Sequence, residues 1–179
     1  VNLSVRQFHE RDLGDLVADV LRETGLPADR LELEITESAL MNDVEQAVHT
    51  LNMLRTIGVA LALDDFGTGY SSLSYLQKLP VSKVKIDRSF IQGIDTSVEA
   101  SELVANICRM GSMLGKSLVC EGIETQAQLD VLRTLTDIHL YGQGYLFSRP
   151  EQAEKVYQTL LEMEEQWLER RQPNKTYLI

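Results

Sequence analysis

The stretch "VALALDDFGTGYSSL", Val59 to Leu73, sets the problem for the whole chain. An apolar run ends in two adjacent carboxylates, Asp64 and Asp65, followed by Gly67-Thr68-Gly69 and the pair Ser71-Ser72. The run reads as a buried strand, and Gly67 and Gly69 read equally as a hinge or tight turn and as a phosphate-binding loop. Strict alternation along a strand sends Asp64 and Asp65 in different directions. Two like charges at the end of a buried strand are tolerated only if a cation compensates them.

Working outward from Val59, strands and helices alternate. "VNLSV" reads as a strand, and Leu13, Leu16, Val17, Val20 and Leu21 share one helical face before Gly25 and Pro27. "LELEIT" (31–36) is a second strand, after which Asn42 with Glu45 reads as the cap of a helix that turns Val44, Ala47, Val48, Leu51 and Leu54 inward. After strand 59–63 come a short helix around Ser71–Lys78, strand "KVKI" (83–86), a turn of helix and a longer helix near Val98–Leu114. Strand "KSLVC" (116–120) leads to Thr125 and Gln128, a capping box for a helix bearing Leu129, Leu132 and Leu135. A sixth strand falls within "IHLYGQGYLF", and Pro150 precedes a last helix with Val156, Tyr157, Leu160, Leu161, Trp167 and Leu168 on one face.

Parallel strands need helical crossovers, so this alternation predicts an α/β fold with a parallel sheet, either doubly wound or closed into a barrel. The polar residues favour the barrel. Asn2, Glu34, Asp64 and Asp65, Lys85 and Asp87, Glu121 and Glu124, and Gln143 fall on or just after successive strands. A (β/α)₈ barrel builds its site from the ends of many strands, whereas a doubly wound sheet uses a single crevice. The expectation is a (β/α)₈ barrel represented by about six βα units, with the N-terminal strands missing before Val1.

At 179 residues, 44% hydrophobic and 25% charged, the chain has the composition of one globular domain. A net charge of −10 excludes the basic face by which proteins hold DNA or RNA polymers, so an anionic ligand needs local positive charge such as a metal. No apolar run has the length of a membrane span, and Cys108 and Cys120 lack a Cys-x-x-Cys spacing, which predicts reduced, buried thiols in a cytoplasmic protein.

Glu34 and Asn2, oxygen donors on neighbouring strands, can join Asp64 and Asp65, and all-oxygen ligation selects Mg²⁺ or Mn²⁺ over Zn²⁺. His9, His49 and His139 are too scattered for a zinc site. Two such ions are the usual device for attack on a phosphodiester. Taken singly, each residue has a plainer explanation. Asp64-Asp65 is also what a solvated turn contains, Glu32 and Glu34 share a face, Lys85 suits a simple ion pair, and Glu124 suits a helix N-terminus. Their coincidence at the ends of successive strands is what points to a site.

With "VNLSVRQF", "LELEITES", "LALDDFGTGYSSLSYLQKLPVSKVKIDRSFI", "VCEGIET" and "YGQGYLFSRP" in this order, the chain resembles the EAL-domain family of bacterial cyclic-di-GMP phosphodiesterases. The resemblance implies a modified TIM (β/α)₈ barrel and hydrolysis of one phosphodiester of cyclic di-GMP to linear pGpG under two Mg²⁺ or Mn²⁺ ions. It implies Asn2, Glu34, Asp64, Asp65 and Glu121 as metal ligands, with Asp64 bridging. Lys85, Glu121 and Asp65 would be catalytic, Lys85 holding the attacking water. Glu124, Gln143 and Asp87 would serve substrate or the surrounding network, and Glu37 would anchor the loop Asp65–Ser72. It further implies a homodimer and an upstream sensory or GGDEF domain. Residues 1–171 are expected to form a partial EAL domain and 172–179 a tail. The name-giving Glu-Ala-Leu motif does not occur in the sequence, which predicts weak metal binding and little turnover by the chain alone. The alternative is a degenerate domain that binds cyclic di-GMP or a protein partner without catalysis.

Overall fold

Among the described residues, six parallel strands lie side by side in the order in which the chain makes them. The computed structural model describes residues 1–10, 12–40, 43–67 and 73–169, and only the backbone of 73–74 and 165–169. The elements are β1 (Asn2–Leu3), α1 (Val5–Phe8), α2 (Leu13–Thr24), β2 (Glu32–Thr36), α3 (Glu37–Leu40), α4 (Val44–Ile57), β3 (Ala60–Phe66) and α5 (Leu73–Lys78). They continue with β4 (Lys83–Ile86), α6 (Arg88–Ile91), α7 (Val98–Met113), β5 (Ser117–Cys120), α8 (Gln126–Arg133), β6 (Leu140–Gly142) and α9 (Ala153–Glu169). The strand order never reverses, so no switch point of the doubly wound kind exists in this sheet. Sequential order is that of a singly wound barrel wall.

The period-two alternation of the strands divides their residues between two tasks. Leu33 and Ile35, Leu61 and Leu63, Val84 and Ile86, Leu118 and Cys120, and Leu140 belong to one buried core. The helices add Leu13, Val17, Leu21, Leu51, Leu54, Val104, Leu129 and Leu132 to it. The alternate positions carry Glu32 and Glu34, Lys83 and Lys85, Ser117 and Val119, and Tyr141, which line a cavity instead. Register holds the two sets apart, since Val84 pairs with Leu118 and Lys85 with Val119, which pairs with Tyr141.

Several boundaries differ from the sequence reading. The first strand stops at Leu3 because Ser4 caps α1, its side chain accepting from the Gln7 amide in a capping box, so Val5 is helical. Asp43, accepting from the Gln46 amide, caps α4, where Asn42 was expected to; Asn42 lies outside the described residues. Leu13, Val17 and Leu21 of α2 are buried, but Leu16 and Val20 on the same stripe are exposed. Val156, Tyr157, Leu160 and Leu161 of α9 are likewise exposed, and the Trp167 and Leu168 side chains lie outside the described residues. The Thr125–Gln128 capping box forms as read. Among the described residues, no helix is long and apolar enough to cross a membrane.

Cys108 on α7 and Cys120 on β5 are both free and wholly buried. The hydrogen bond between the two thiols, reinforced by burial, pushes the Cys120 thiol well above its usual range. Only the thiolate is nucleophilic. The native protein is therefore expected to leave an aromatic disulfide reagent unreacted, and to release two thiols per chain once unfolded in urea. Absorbance of the released thiolate measures both, and a thiol that reacts fast in native protein would contradict the packing.

Candidate active site

The two aspartates sit on a bulge. β3 pairs with β4 as Ala62 with Lys83 and Leu63 with Val84, then resumes as Phe66 with Ile86. Three steps on β3 match two on β4, so one residue is extra within Asp64-Asp65. Asp65 has φ +53°, the only non-glycine residue at positive φ among the described residues. Such a conformation costs on the order of 1 kcal/mol and recurs at functional sites. It breaks the expected alternation: oxygens of Asp64, Asp65 and Glu121 all lie within 4.8 Å of one another, so the two aspartates share one site.

Lys85 stands at the centre. Its Nζ is 2.8 Å from Glu121 Oε1, 2.9 Å from Glu34 Oε2 and 3.1 Å from Asp64 Oδ1, and its side chain is 7% exposed. β2, β3, β4 and the exit of β5 thus each contribute one charged group. The Asp64 contact is an ion pair by distance, yet its direction forms no hydrogen bond, and Asp64 Oδ1 is buried without one. Burial works against the Lys85 charge, but the facing carboxylates of Glu121, Glu34 and Asp64 outweigh it and raise its pKa, so the ammonium is the favoured form. Glu121 is shifted upward, first by burial, against the pull of Lys85. Asp65 is raised too, by burial and then by the charges of Asp64 and Asp87.

The remaining expected residues fall around this centre. Asn2 pairs in register with Glu34 but is exposed. Glu37 is 2% exposed; its Oε2 accepts the Gly67 amide at 3.2 Å, while its Oε1 is buried without a partner. The rest of the loop that Glu37 was expected to anchor, 68–72, lies outside the described residues. Asp87 caps α6 through the Ser89 amide. Burial opposes its charge, but hydrogen bonds from Ser89 and the Arg88 amide hold its carboxyl below the usual range. Glu124 and Gln143 are exposed, and Gln143 lines a cavity of about 440 Å³ with Glu34 and Lys85. The sequence reading passed over Lys83 and Tyr141, which line the same cavity. Lys83 pairs with Glu32 at 2.6 Å, one layer below Lys85 and Glu34. Counting back two residues from Lys85 and from Gln143 finds both.

Among the described residues, Glu34, Asp64 and Glu121 set three carboxylates against the one ammonium of Lys85, with an Asp65 oxygen beside those of Asp64 and Glu121. The excess negative charge, the orphaned Asp64 Oδ1 and an all-oxygen donor set fit a divalent cation. Without one, Lys85 is the neutralising charge. Lys85→Met is therefore expected to cost roughly 3–5 kcal/mol in chelator-treated protein, the range for removing one partner of a buried ion pair. Urea unfolding followed by circular dichroism measures it. Added Mn²⁺ should recover more stability in the variant than in wild type.

The sequence matches the family model of the EAL domain over residues 1–150. It is 46% identical over 150 residues to the cyclic di-GMP phosphodiesterase NbdA of Pseudomonas aeruginosa, covering 84% of this chain and 19% of that protein. The structure is similar to that of the PaMucR phosphodiesterase in its c-di-GMP complex, with TM-score 0.80 and 42% identity over 87% of this chain and 62% of that one. It is also similar to Klebsiella pneumoniae BlrP1 in a manganese/cy-diGMP complex, with TM-score 0.76 and 36% identity over 84% of this chain and 38% of that one. The chain spans about a fifth of the length of the curated relatives it matches. With its sequential parallel sheet and a carboxylate cluster at the strand ends, the chain belongs to the EAL domain family.

Proposed function

We infer that this domain hydrolyses one phosphodiester bond of cyclic di-GMP to give linear pGpG, as the hydrolytic part of a longer signalling protein. The observation that carries the reading is Lys85 held by Glu34, Asp64 and Glu121, with Asp65 against the same cluster. A structural ion pair needs one carboxylate, and this site collects four. Relatives named as cyclic di-GMP phosphodiesterases, and neighbours solved with that nucleotide, support the substrate.

Asn2, Glu34, Asp64, Asp65 and Glu121 would hold two divalent ions, Mg²⁺ or Mn²⁺. When bound, these supply polarisation of the phosphodiester and activation of water. The chain's own groups then divide the work. Lys85, whose charged form the surrounding carboxylates favour, would act as a donor and a positive charge toward water or phosphate. Glu121 and Asp65, both raised by burial, are the carboxylates of the cluster that would accept a proton. Gln143, at the cavity wall, would help orient the nucleotide, a role that the family resemblance extends to Glu124. Glu37 holds the loop after β3 through the Gly67 amide, and Asp87 fixes the start of α6 beside Asp65.

The wider setting belongs to the same proposal. Residues 1–171 would form the domain and 172–179 a tail. The greater length of the relatives, one of them a bifunctional diguanylate cyclase/phosphodiesterase, supports an adjoining sensory or GGDEF domain. Pairing of two copies rests on the family resemblance. The buried reduced thiols support a cytoplasmic setting.

The test is cyclic-di-GMP hydrolysis with Mn²⁺, with chromatographic identification of the product, on this chain and on the protein extended upstream of Val1. The extended protein is expected to release pGpG, and Asp64→Asn, Asp65→Asn and Glu121→Gln are each expected to lower kcat by about a hundredfold or more, equivalent to about 2.7 kcal/mol of transition-state stabilisation. Nucleotide binding without any pGpG from either form would replace hydrolysis by the receptor reading.

A further inference from the structure

The exit of β6 grips the exit of β5 by its backbone. Ile123 donates its N–H to Gln143 O at 3.0 Å and accepts at its own carbonyl from the Leu146 N–H at 3.0 Å. Both polar groups of Ile123 are therefore bound to the turn 143–146, and its side chain, 1% exposed, is locked in the core. Gly144 lies between these two bonds. A Cβ there would fall on the nitrogen and carbonyl oxygen of Ile123 and 2.7 Å from its carbonyl carbon. The obstacle is backbone, so no rotamer change relieves it.

The gripped segment has no slack on its other side. The Glu121 N–H donates to Ile86 O at 3.1 Å, and the Gln143 N–H donates to Cys120 O at 2.9 Å. Gly122, at φ +70°, packs directly on the Cβ of Arg88 just after β4. The contrast is Gly67, at φ +96°, where the nearest atoms to an added Cβ belong to the tip of the Phe90 side chain, at 2.7 Å, and not to backbone. Bulk at residue 144 must move either Gln143 or the segment 121–124, and that segment carries Glu121, whose Oε1 lies 2.8 Å from Lys85 Nζ.

We propose that Gly144 is a positioning residue, whose missing side chain lets the 143–146 turn clasp Ile123 and so fixes the Glu121 carboxylate against Lys85. The clasp is a property of the backbone. Its effect on turnover rests on the hydrolytic reading above.

The test is Gly144→Ala in the extended protein, read by amide hydrogen exchange, by Mn²⁺ titration and by steady-state kinetics well below the melting temperature. Protection of the Ile123 and Leu146 amides is expected to fall about tenfold or more, while that of Ile86 on β4 is unchanged. Mn²⁺ should bind several-fold more weakly, and kcat should fall by about tenfold to a hundredfold, the scale of a displacement near 1 Å, with a smaller change in KM. Added to Glu121→Gln, Gly144→Ala should lower kcat by less than about twofold, because its effect passes through Glu121. Gly115→Ala is the control for destabilisation alone. Gly115 has φ +69° with nothing within 4 Å, so alanine there should lower the melting temperature and leave the other readouts as in wild type.

If Gly144→Ala does not fold, Ile123→Ala loosens the same clasp without adding bulk, and should give the same exchange and Mn²⁺ signature. Retained protection at Ile123 and Leu146 with unchanged Mn²⁺ affinity would overturn the proposal, as would a kcat loss that multiplies fully with that of Glu121→Gln. Absence of pGpG from wild type would sink the hydrolytic reading, while exchange and Mn²⁺ binding still decide the clasp.

Discussion

The ammonium of Lys85 is the constraint around which the rest of the site is arranged. A buried lysine is costly unless it is paired and hydrogen-bonded, and buried carboxylates are equally costly without a cation. Parallel strands resolve both at once, because all of them deliver their ends to the same side. Glu34 reaches Lys85 from β2, Asp64 from β3 and Glu121 from the exit of β5. Each of those strands is in turn held in register by the hydrocarbon on its other face. The core is therefore what sets the charges at 2.8–3.1 Å from one nitrogen. The site is also left with more negative charge than one lysine neutralises, and that imbalance is the physical argument for a divalent cation.

Much of this was legible in the sequence, and the readable parts share a cause. The strand and helix order follows from local period, and the Thr125–Gln128 capping box from a three-residue spacing. Lys83–Ile86 could be bounded because it alternates cleanly between lysine and an apolar residue. The residues of the cluster came partly from their positions at strand ends and partly from the family resemblance, since a pair 51 residues apart, such as Lys85 and Glu34, leaves no trace in spacing.

What stayed hidden depends on two segments together. A bulge belongs to a pair of strands, so the extra residue of β3 is invisible until β4 lies beside it. Alternation therefore sent Asp64 and Asp65 apart when the structure brings them together. Leu16 and Val20 lie on the apolar stripe of α2 yet are exposed, because a stripe tells which face is apolar and not how wide its partner is. Asn42 and Asp43 are adjacent cap formers of nearly equal preference. Backbone geometry alone decides that Asp43 bonds the Gln46 amide. The grip of the 143–146 turn on Ile123 is likewise a contact between two loops, of which sequence shows only an unremarked glycine.

The bulge in β3 is also a phase shift. Leu61 and Leu63 face the core two residues apart, but the next core residue of that strand, Phe66, follows after three. Before the aspartates the core residues are odd-numbered; directly after them it is Phe66 that enters the core. The chain behaves here like a crystal row with one extra atom, where order is intact on either side and the mismatch is confined to a point. That point is where the two acids sit, so a single inserted residue both doubles the charge delivered by one strand and still returns Phe66 to its place beside Ile86.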